Sequence, residues 1–344
     1  MKQRKPNWKK SAIYPIVLIV LVLIVYQYRE SKKAETYIQI EGNTMGTTYH
    51  IKYIDDKKIN YKSEIDNLLV DFNQSLSTYI SDSEISQFNQ SDSIIFRSEF
   101  FLPVLIKAKE VYEFSKGAFD PTVMPLVNAW GFGFKNSENI DSTDIDSLMQ
   151  FVGFEHIIYN ENSIKKDTSG VMLDFSAIAK GYGVDLIGEY FEERGIKNYM
   201  VEIGGEVRCR GKNNKNSIWL IGIDNPKYNE DGKSLKATVK LENLSLATSG
   251  NYRNFYVKEG VKYAHTINPI TGYPVDHTLL SASVFSENCM TADAYATAFM
   301  VMGTEATIEL ARELGLMIYL VYSDENGETI SYMSDGLRKM IIEN

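Results

Sequence analysis

The stretch MTADAYATAFMVMG (Met290 to Gly303) combines small and apolar residues with one carboxylate, Asp293, and a hydroxyl four residues on, Thr297. Its pattern predicts a buried helix over Thr291–Met302. Positions i and i+4 share a helix face, so Asp293 and Thr297 project together. That pair suits a hard, oxygen-liking cation such as Mg²⁺. A plainer reading stands beside it. With Thr291 as N-cap, Asp293 falls in the first turn, where the helix dipole favours any acid.

Three other stretches carry chemistry-bearing residues. In LDFSAIAKGYGVD (Leu173 to Asp185), Asp174 follows an apolar run, a helix is expected from Ser176, and Lys180 falls in its first turns. An acid and a lysine at a helix start resemble an anion site. A capped surface helix with a solvated lysine has the same signature, and no GxxxxGK[ST] phosphate loop is present. GAFDPTVMPLVNAWGFG (Gly117 to Gly133) sets Phe119, Trp130 and Phe132 among tight glycines. These rings suit the walls of an aromatic cofactor site or an irregular piece of core. In AHTINPITGYPVDH (Ala264 to His277), two of the chain's four histidines bracket a turn. His265 is a candidate general base, or a hydrogen-bonded strand histidine. His50 and His156 lie in strand-like runs without an evident partner and read as structural. No Gly-x-Ser-x-Gly or His-Glu-x-x-His is present, so those hydrolase classes have no support.

The elements that must position these residues are mixed. Alternating runs at Tyr37–Ile40 and Thr47–Ile54 predict a hairpin turning at Gly42-Asn43, and Gly204-Gly205 predicts another within 198–211. Helical spacing covers Ser63–Leu76, Phe100–Ser115, Ser176–Glu193 and Thr304–Leu314. Asp120-Pro121 reads as a helix start, and SLSTYISDSEISQFN as a loop. Short strands dominate from residue 217 to 284, and a last hairpin turns at Asn326-Gly327. Without a regular βαβ alternation the fold class is α+β, with mixed or antiparallel sheets packed by helices.

The 344 residues carry a formal net charge of −9. The first 35 hold eight basic and two acidic side chains, so they stand at +6 and the remainder at −15. A domain this acidic is a poor partner for nucleic acid. The basic leader precedes an unbroken apolar run, Ala12–Tyr26. A membrane span needs about 20 apolar residues, with a floor of about 17, and Trp8 and Tyr28 extend the run as interfacial anchors. No small-x-small cleavage site follows it, which favours an uncleaved anchor over a secretory signal. Positive flanks stay in the cytoplasm, so the bulk of the chain is expected outside it. Cys209 and Cys289 permit one bridge or two free thiols.

Taken in order, NTMGTTY, STYISDSEIS, GAFDPTVMPLVNAWGFG, LDFSAIAKGYGVD, VEIGGEVRCRG, ATSGNYRNF, HTINPITGYPV and TADAYATAFMVMG resemble the ApbE family of FAD:protein FMN transferases, from about Thr44 to Gly303. The resemblance implies FAD as substrate and Mg²⁺ as cofactor. It further implies that FMN passes to a threonine hydroxyl of an acceptor protein, a flavin-bearing subunit of an Nqr- or Rnf-type membrane redox pump, with release of AMP. It implies a metal site of Asp293, Thr297 and the backbone carbonyl of Ala177. It puts the flavin end near Met45, Tyr79, Ala118, Phe119 and Asp120, with Asp174 and Lys180 also on FAD. DFSAIAKG here stands where many members read DLGGIAKG, a change that a backbone ligand survives. Activating the threonine needs a base, for which His265 leads and Asp120 or Asp174 follow. On this reading residues 1–10 are a cytoplasmic leader, 11–28 an anchor in the inner membrane, 29–40 a linker, and 41–344 the catalytic domain on the periplasmic side. Two alternatives remain: an FAD pyrophosphatase giving free FMN and AMP, and an exported flavin-binding protein without turnover.

Overall fold

The computed structural model describes residues 15, 17–23, 36–133, 141–226, 235–251, 255–258, 261–264 and 266–343. Its centre is one eight-stranded antiparallel sheet whose spatial order follows the chain. The strands are β1 (Ile38–Thr44), β2 (Thr47–Ile54), β3 (Asn198–Ile203), β4 (Glu206–Arg210), β5 (Leu244–Gly250), β6 (Leu279–Ser286), β7 (Met317–Ser323) and β8 (Thr329–Met333). Most of the other described elements are excursions between neighbouring strands. Among the described residues, the excursion from β2 to β3 carries six α-helices, among them Lys62–Leu76, Glu84–Gln90, Phe101–Phe114 and Ala179–Glu193. It also carries a small sheet of Ser93–Ile95, Ser163–Lys166 and Ile157–Tyr159. Between β6 and β7 come the helices Cys289–Met302 and Thr304–Glu313. The α+β expectation holds.

Alternation along the strands builds two layers of core. From β5, β6 and β7, Ala247, Ala282, Val284, Ile318 and Leu320 face the Cys289–Met302 helix. Their neighbours Leu246, Phe285, Tyr319 and Val321 face a three-stranded sheet built from Trp219–Asp224, Leu235–Leu241 and Ile341–Glu343. The Cys289–Met302 helix is therefore enclosed, with eleven of its fourteen residues buried. A helix apolar nearly all round belongs in such a position. The Ala179–Glu193 helix covers β1 to β3 with Val184, Ile187 and Phe191.

Several local expectations move. The first hairpin turns at Met45-Gly46, not Gly42-Asn43, and both turn residues have positive φ, 49° and 71°. Such a turn follows the twist of the strands. The STYISDSEIS region contains a helix, Glu84–Gln90, whose N-cap Ser83 accepts from the Ser86 N–H. Asp120-Pro121 starts no helix; the next one is Met124–Ala129. The helix expected from Ser176 begins at Ala179, after a turn. The helix expected from Thr291 begins at Cys289, with Asn288 before it.

Of the N-terminal apolar run, residue 15 and residues 17–23 are described, as an exposed helical stretch. No helix among the described residues is long and apolar enough to cross a membrane. The leader and most of the expected anchor lie outside those residues. Both cysteines are buried and free.

The two long helices meet at Gly181. A Cβ there would lie 2.4 Å from the Cys289 carbonyl oxygen and 2.7 Å from Asp293 Cβ. Both obstacles are fixed by a buried helix. Gly181→Ala should therefore lower the unfolding free energy by about 1–3 kcal/mol, the usual cost of overpacking, in urea denaturation.

Candidate functional site

Asp293 is the fifth residue of the Cys289–Met302 helix, one turn past its start, and 2% exposed. Its Oδ2 accepts from the Gly181 N–H at 2.9 Å. Asp293 thus serves a helix start, as the dipole reading asks, but that of the neighbouring helix. Asp185 returns the arrangement. From the Ala179–Glu193 helix it accepts from the Cys289 and Met290 N–H groups at 2.9 and 2.8 Å. Arg208 on β4 closes on Asp185 at 2.7 Å.

Asp293 Oδ1 faces Lys180, at 3.9 Å from Nζ, and Glu206 Oε1 faces the same ammonium at 3.4 Å. The lysine side chain is 27% exposed, against 5% for Glu206 and 3% for Asp293. The solvated lysine of the plainer reading is thereby replaced by one enclosed between two acids. Burial pushes the Asp293 carboxyl above the usual range, and Lys180 with the Gly181 N–H only partly offsets this. Burial also raises Glu206, partly opposed by Lys180. For Lys180, burial works against the charge, but the pull of Asp293 and Glu206 holds it above its ordinary value. One ammonium is shared between two buried acids, both of which burial pushes toward the protonated form.

Thr297 lies one turn beyond Asp293, and its hydroxyl is 3.1 Å from that of Ser249 at the end of β5. Ala177 sits in the turn that delivers the chain into Lys180. Both hairpin tips close on this corner. The Met45 side chain reaches over Gly183, where a Cβ would stand 2.7 Å from its Cε. At Gly204 the corresponding atom would meet Thr47 at 2.8 Å and Lys180 Cδ at 3.4 Å. A shallow cavity of about 420 Å³ is lined by Asn43, Thr44, Met45, Gly46, Thr47 and Thr48. Met45 holds φ 49°, uncommon outside glycine and frequent at functional positions.

A second group sits further along the same backbone. The Asp174 N–H donates to the Pro121 carbonyl at 2.8 Å, and Val123 bridges to Met172. The Asn89 amide clamps Leu173, accepting from its N–H at 2.7 Å and donating to its carbonyl at 2.8 Å. Asp174 accepts from the Ser176 N–H and hydroxyl. Asp120 accepts from the Thr122 N–H at 2.8 Å and hydroxyl at 2.6 Å. Ala118, Phe119 and Asp120 are all buried. Burial raises Asp120 to about 6, with the Thr122 bonds pulling the other way.

Not every expected site residue joins these two groups. Tyr79 stands on the loop before the Glu84–Gln90 helix and is 76% exposed. His265 lies outside the described residues; its neighbour Thr266 donates its hydroxyl to the Asn251 side-chain carbonyl. Phe119 belongs to the main core, and Trp130 and Phe132 pack on a small cluster of Leu126, Ile145 and Ile267. These rings are part of the packing of the core. His50 and His156 do have partners, Glu202 at 2.7 Å and Asp167 at 2.8 Å. Both partners are distant in sequence or across a loop, which hides them from a local reading. Among the described residues no cluster of three or more His, Cys, Asp or Glu forms a metal cage. Glu206, Asp185, Ser249 and Asn89 were not singled out by sequence. Only Glu206 carried a signal, an acid directly after a Gly-Gly turn.

The ApbE family model matches residues 45–320. This chain belongs to the ApbE family. It is 39% identical over 308 residues to an FAD:protein FMN transferase of Vibrio cholerae, covering 86% of this chain and 90% of that one. A second FAD:protein FMN transferase, of Haemophilus influenzae, is 38% identical, with 90% and 93% covered. Among solved structures, the flavin transferase ApbE from Vibrio cholerae superposes with a TM-score of 0.80 at 37% identity, covering 89% of this chain and 99% of that one. The apo form of Pseudomonas stutzeri flavinyl transferase ApbE also gives 0.80, at 29% identity, with 89% and 97% covered.

The raised pKa of Asp120 has a signed consequence. Its folded value of about 6 lies above the ordinary 3.8. The folded state then holds a proton that the unfolded state has released. That stability is fully present below the ordinary value and is lost as pH rises through about 6. Asp120→Asn should flatten the pH dependence of unfolding free energy in this window, measured by urea denaturation at successive pH values.

Proposed function

We propose that this protein moves the FMN half of FAD onto a threonine hydroxyl of an acceptor protein, with Mg²⁺ as cofactor, and releases AMP. Membership of the ApbE family and the activity named for its relatives support the reaction class. The observation that carries the site assignment is Asp293, a carboxylate set mid-helix in the core with Oδ1 turned toward Lys180 and a second buried acid beyond it.

Asp293, the Thr297 hydroxyl and the Ala177 carbonyl would hold Mg²⁺. The donors fit the ion: all are oxygens, and a divalent charge would favour the ionised form of an acid that burial otherwise disfavours. When bound, the cation would screen the diphosphate and act as Lewis acid at phosphorus. Lys180 adds a second positive charge beside the same group. Met45, Tyr79, Ala118, Phe119 and Asp120 would hold the flavin end, with Asp174 on the segment that joins the two ends. The threonine oxygen forms a bond to the FMN phosphorus as the bond from that phosphorus to the AMP oxygen breaks. His265 takes the threonine proton, with Asp120 or Asp174 in reserve. Water in place of threonine would give free FMN and AMP, so transfer depends on how the acceptor is positioned.

The acceptors we propose are flavin-bearing subunits of Nqr- or Rnf-type redox pumps. The basic leader and the apolar run after it support a single-pass anchor in the inner membrane, with the catalytic domain on the periplasmic side.

Incubation with FAD, Mg²⁺ and an acceptor carrying the target threonine should add a covalent FMN to that threonine in mass spectra. Asp293→Ala should abolish AMP release while some FAD still binds. Free FMN and AMP as sole products would reduce the activity to hydrolysis, and no AMP release with any divalent metal would leave a binding protein. His265→Asn should slow transfer by about 10²–10⁴-fold, the usual share of a general base, with FAD affinity little changed; a near-normal rate removes His265 from that role.

A further inference from the structure

Glu206 opens β4 directly after the Gly204-Gly205 turn and points into the protein. Its Oε1 lies 3.4 Å from Lys180 Nζ, and its Oε2 is buried without a hydrogen-bond partner. A buried carboxylate oxygen left in that state is costly. The hairpin does not require it. Glu202, the other acid of this turn, faces outward and accepts from the Gly205 N–H at 2.7 Å. The stem of Lys180 is held against the same turn, with Cδ 3.4 Å from where a Gly204 Cβ would lie. The ammonium is thus suspended between two acids and nearer to Glu206 than to Asp293.

We propose that Glu206 is a positioning residue for Lys180, drawing the ammonium away from Asp293 so that this carboxylate stays open to the divalent cation. The inference rests on the metal reading of Asp293 given above. Two desolvated opposite charges attract strongly. Without Glu206, Asp293 would be the remaining acid of this cluster within reach, and Lys180 would close on it. An arriving cation would then have to displace a paired ammonium and face its full positive charge. With Glu206 present, Lys180 would keep a counter-charge once Asp293 holds the cation. The lysine remains cationic and stationed beside the diphosphate.

The test is thermal unfolding of the FAD-free protein against MgCl₂ concentration, with far-UV circular dichroism to establish that each variant is folded. Wild type should be stabilised by Mg²⁺, and Asp293→Asn should lose the response. Glu206→Gln should need about tenfold more Mg²⁺ for the same shift, the scale expected when one nearby charge is removed. Glu206→Gln combined with Lys180→Met should return to within about twofold of wild type, because the competing ammonium has gone with its partner. A purely structural defect at Glu206 would not be repaired by removing a lysine. Lys180→Met alone should bind Mg²⁺ more tightly than wild type, a result that does not depend on how well Glu206→Gln folds. A wild-type midpoint in Glu206→Gln, an unrepaired double variant, or weaker binding in Lys180→Met overturns the role of Glu206 and leaves the metal site standing. Absence of any Mg²⁺ response in wild type, or an unchanged response in Asp293→Asn, overturns both.

Discussion

Two helices exchange carboxylates at the centre of this molecule. Asp293 reaches across to the third residue of the Ala179–Glu193 helix, and Asp185 reaches back to the first two residues of the Cys289–Met302 helix. Neither helix start has a side-chain cap of its own. Each would otherwise bury unsatisfied N–H groups, which costs as much as a lost hydrogen bond. The exchange works only if the backbones nearly touch, and Gly181 permits that contact. Arg208 supplies the positive charge that Asp185 needs and is tied in turn to Glu192 at 3.0 Å. A buried pair of this kind adds little net stability, but losing one partner is costly. Its effect is to fix the register of the two helices.

That register determines the electrostatics of the site. With Oδ2 committed to Gly181, the orientation of Asp293 is fixed and Oδ1 is directed toward Lys180. Burial raises the pKa of the acid, yet two carboxylates share one ammonium. Such a cluster is stable in two ways: by holding a proton or by taking up a cation. Under the metal reading proposed above, a divalent cation would be held strongly in this low-dielectric corner.

Much of this was legible in the sequence. The Gly204-Gly205 and Asn326-Gly327 turns declare themselves because positive φ restricts the choice of residue. The long helices follow from their apolar period, and the pairing of Asp293 with Thr297 from helical geometry alone. What failed was whatever depended on contact between distant segments. The start of the buried helix was displaced to Thr291 because the group that serves its first N–H donors, Asp185, lies over a hundred residues away in the chain. Lys180 stayed open between an anion site and a solvated surface residue because nothing local shows that Glu206 and Asp293 surround it. His50 and His156 looked alone for the same reason. The Asp120-Pro121 start failed differently: the carboxylate turned to Thr122 instead, giving a tight loop where a helix cap was expected.

One short backbone segment spans both halves of the site. Residue 173 is clamped by Asn89, residue 174 is bonded to Pro121, and residue 181 is bonded to Asp293. Between these fixed points lie Asp174, Ala177 and Lys180. Asp120, one residue before Pro121, is carried by the same attachment. The end of the site assigned to flavin and the end assigned to metal are therefore not independently adjustable. A shift at Asn89 or at Gly181 moves both. Catalysis of group transfer demands that the phosphorus be held against two anchors at once, since misplacement by an ångström costs orders of magnitude in rate. The seven residues between positions 173 and 181 are held at both ends by these hydrogen bonds, which is the kind of constraint that demand calls for.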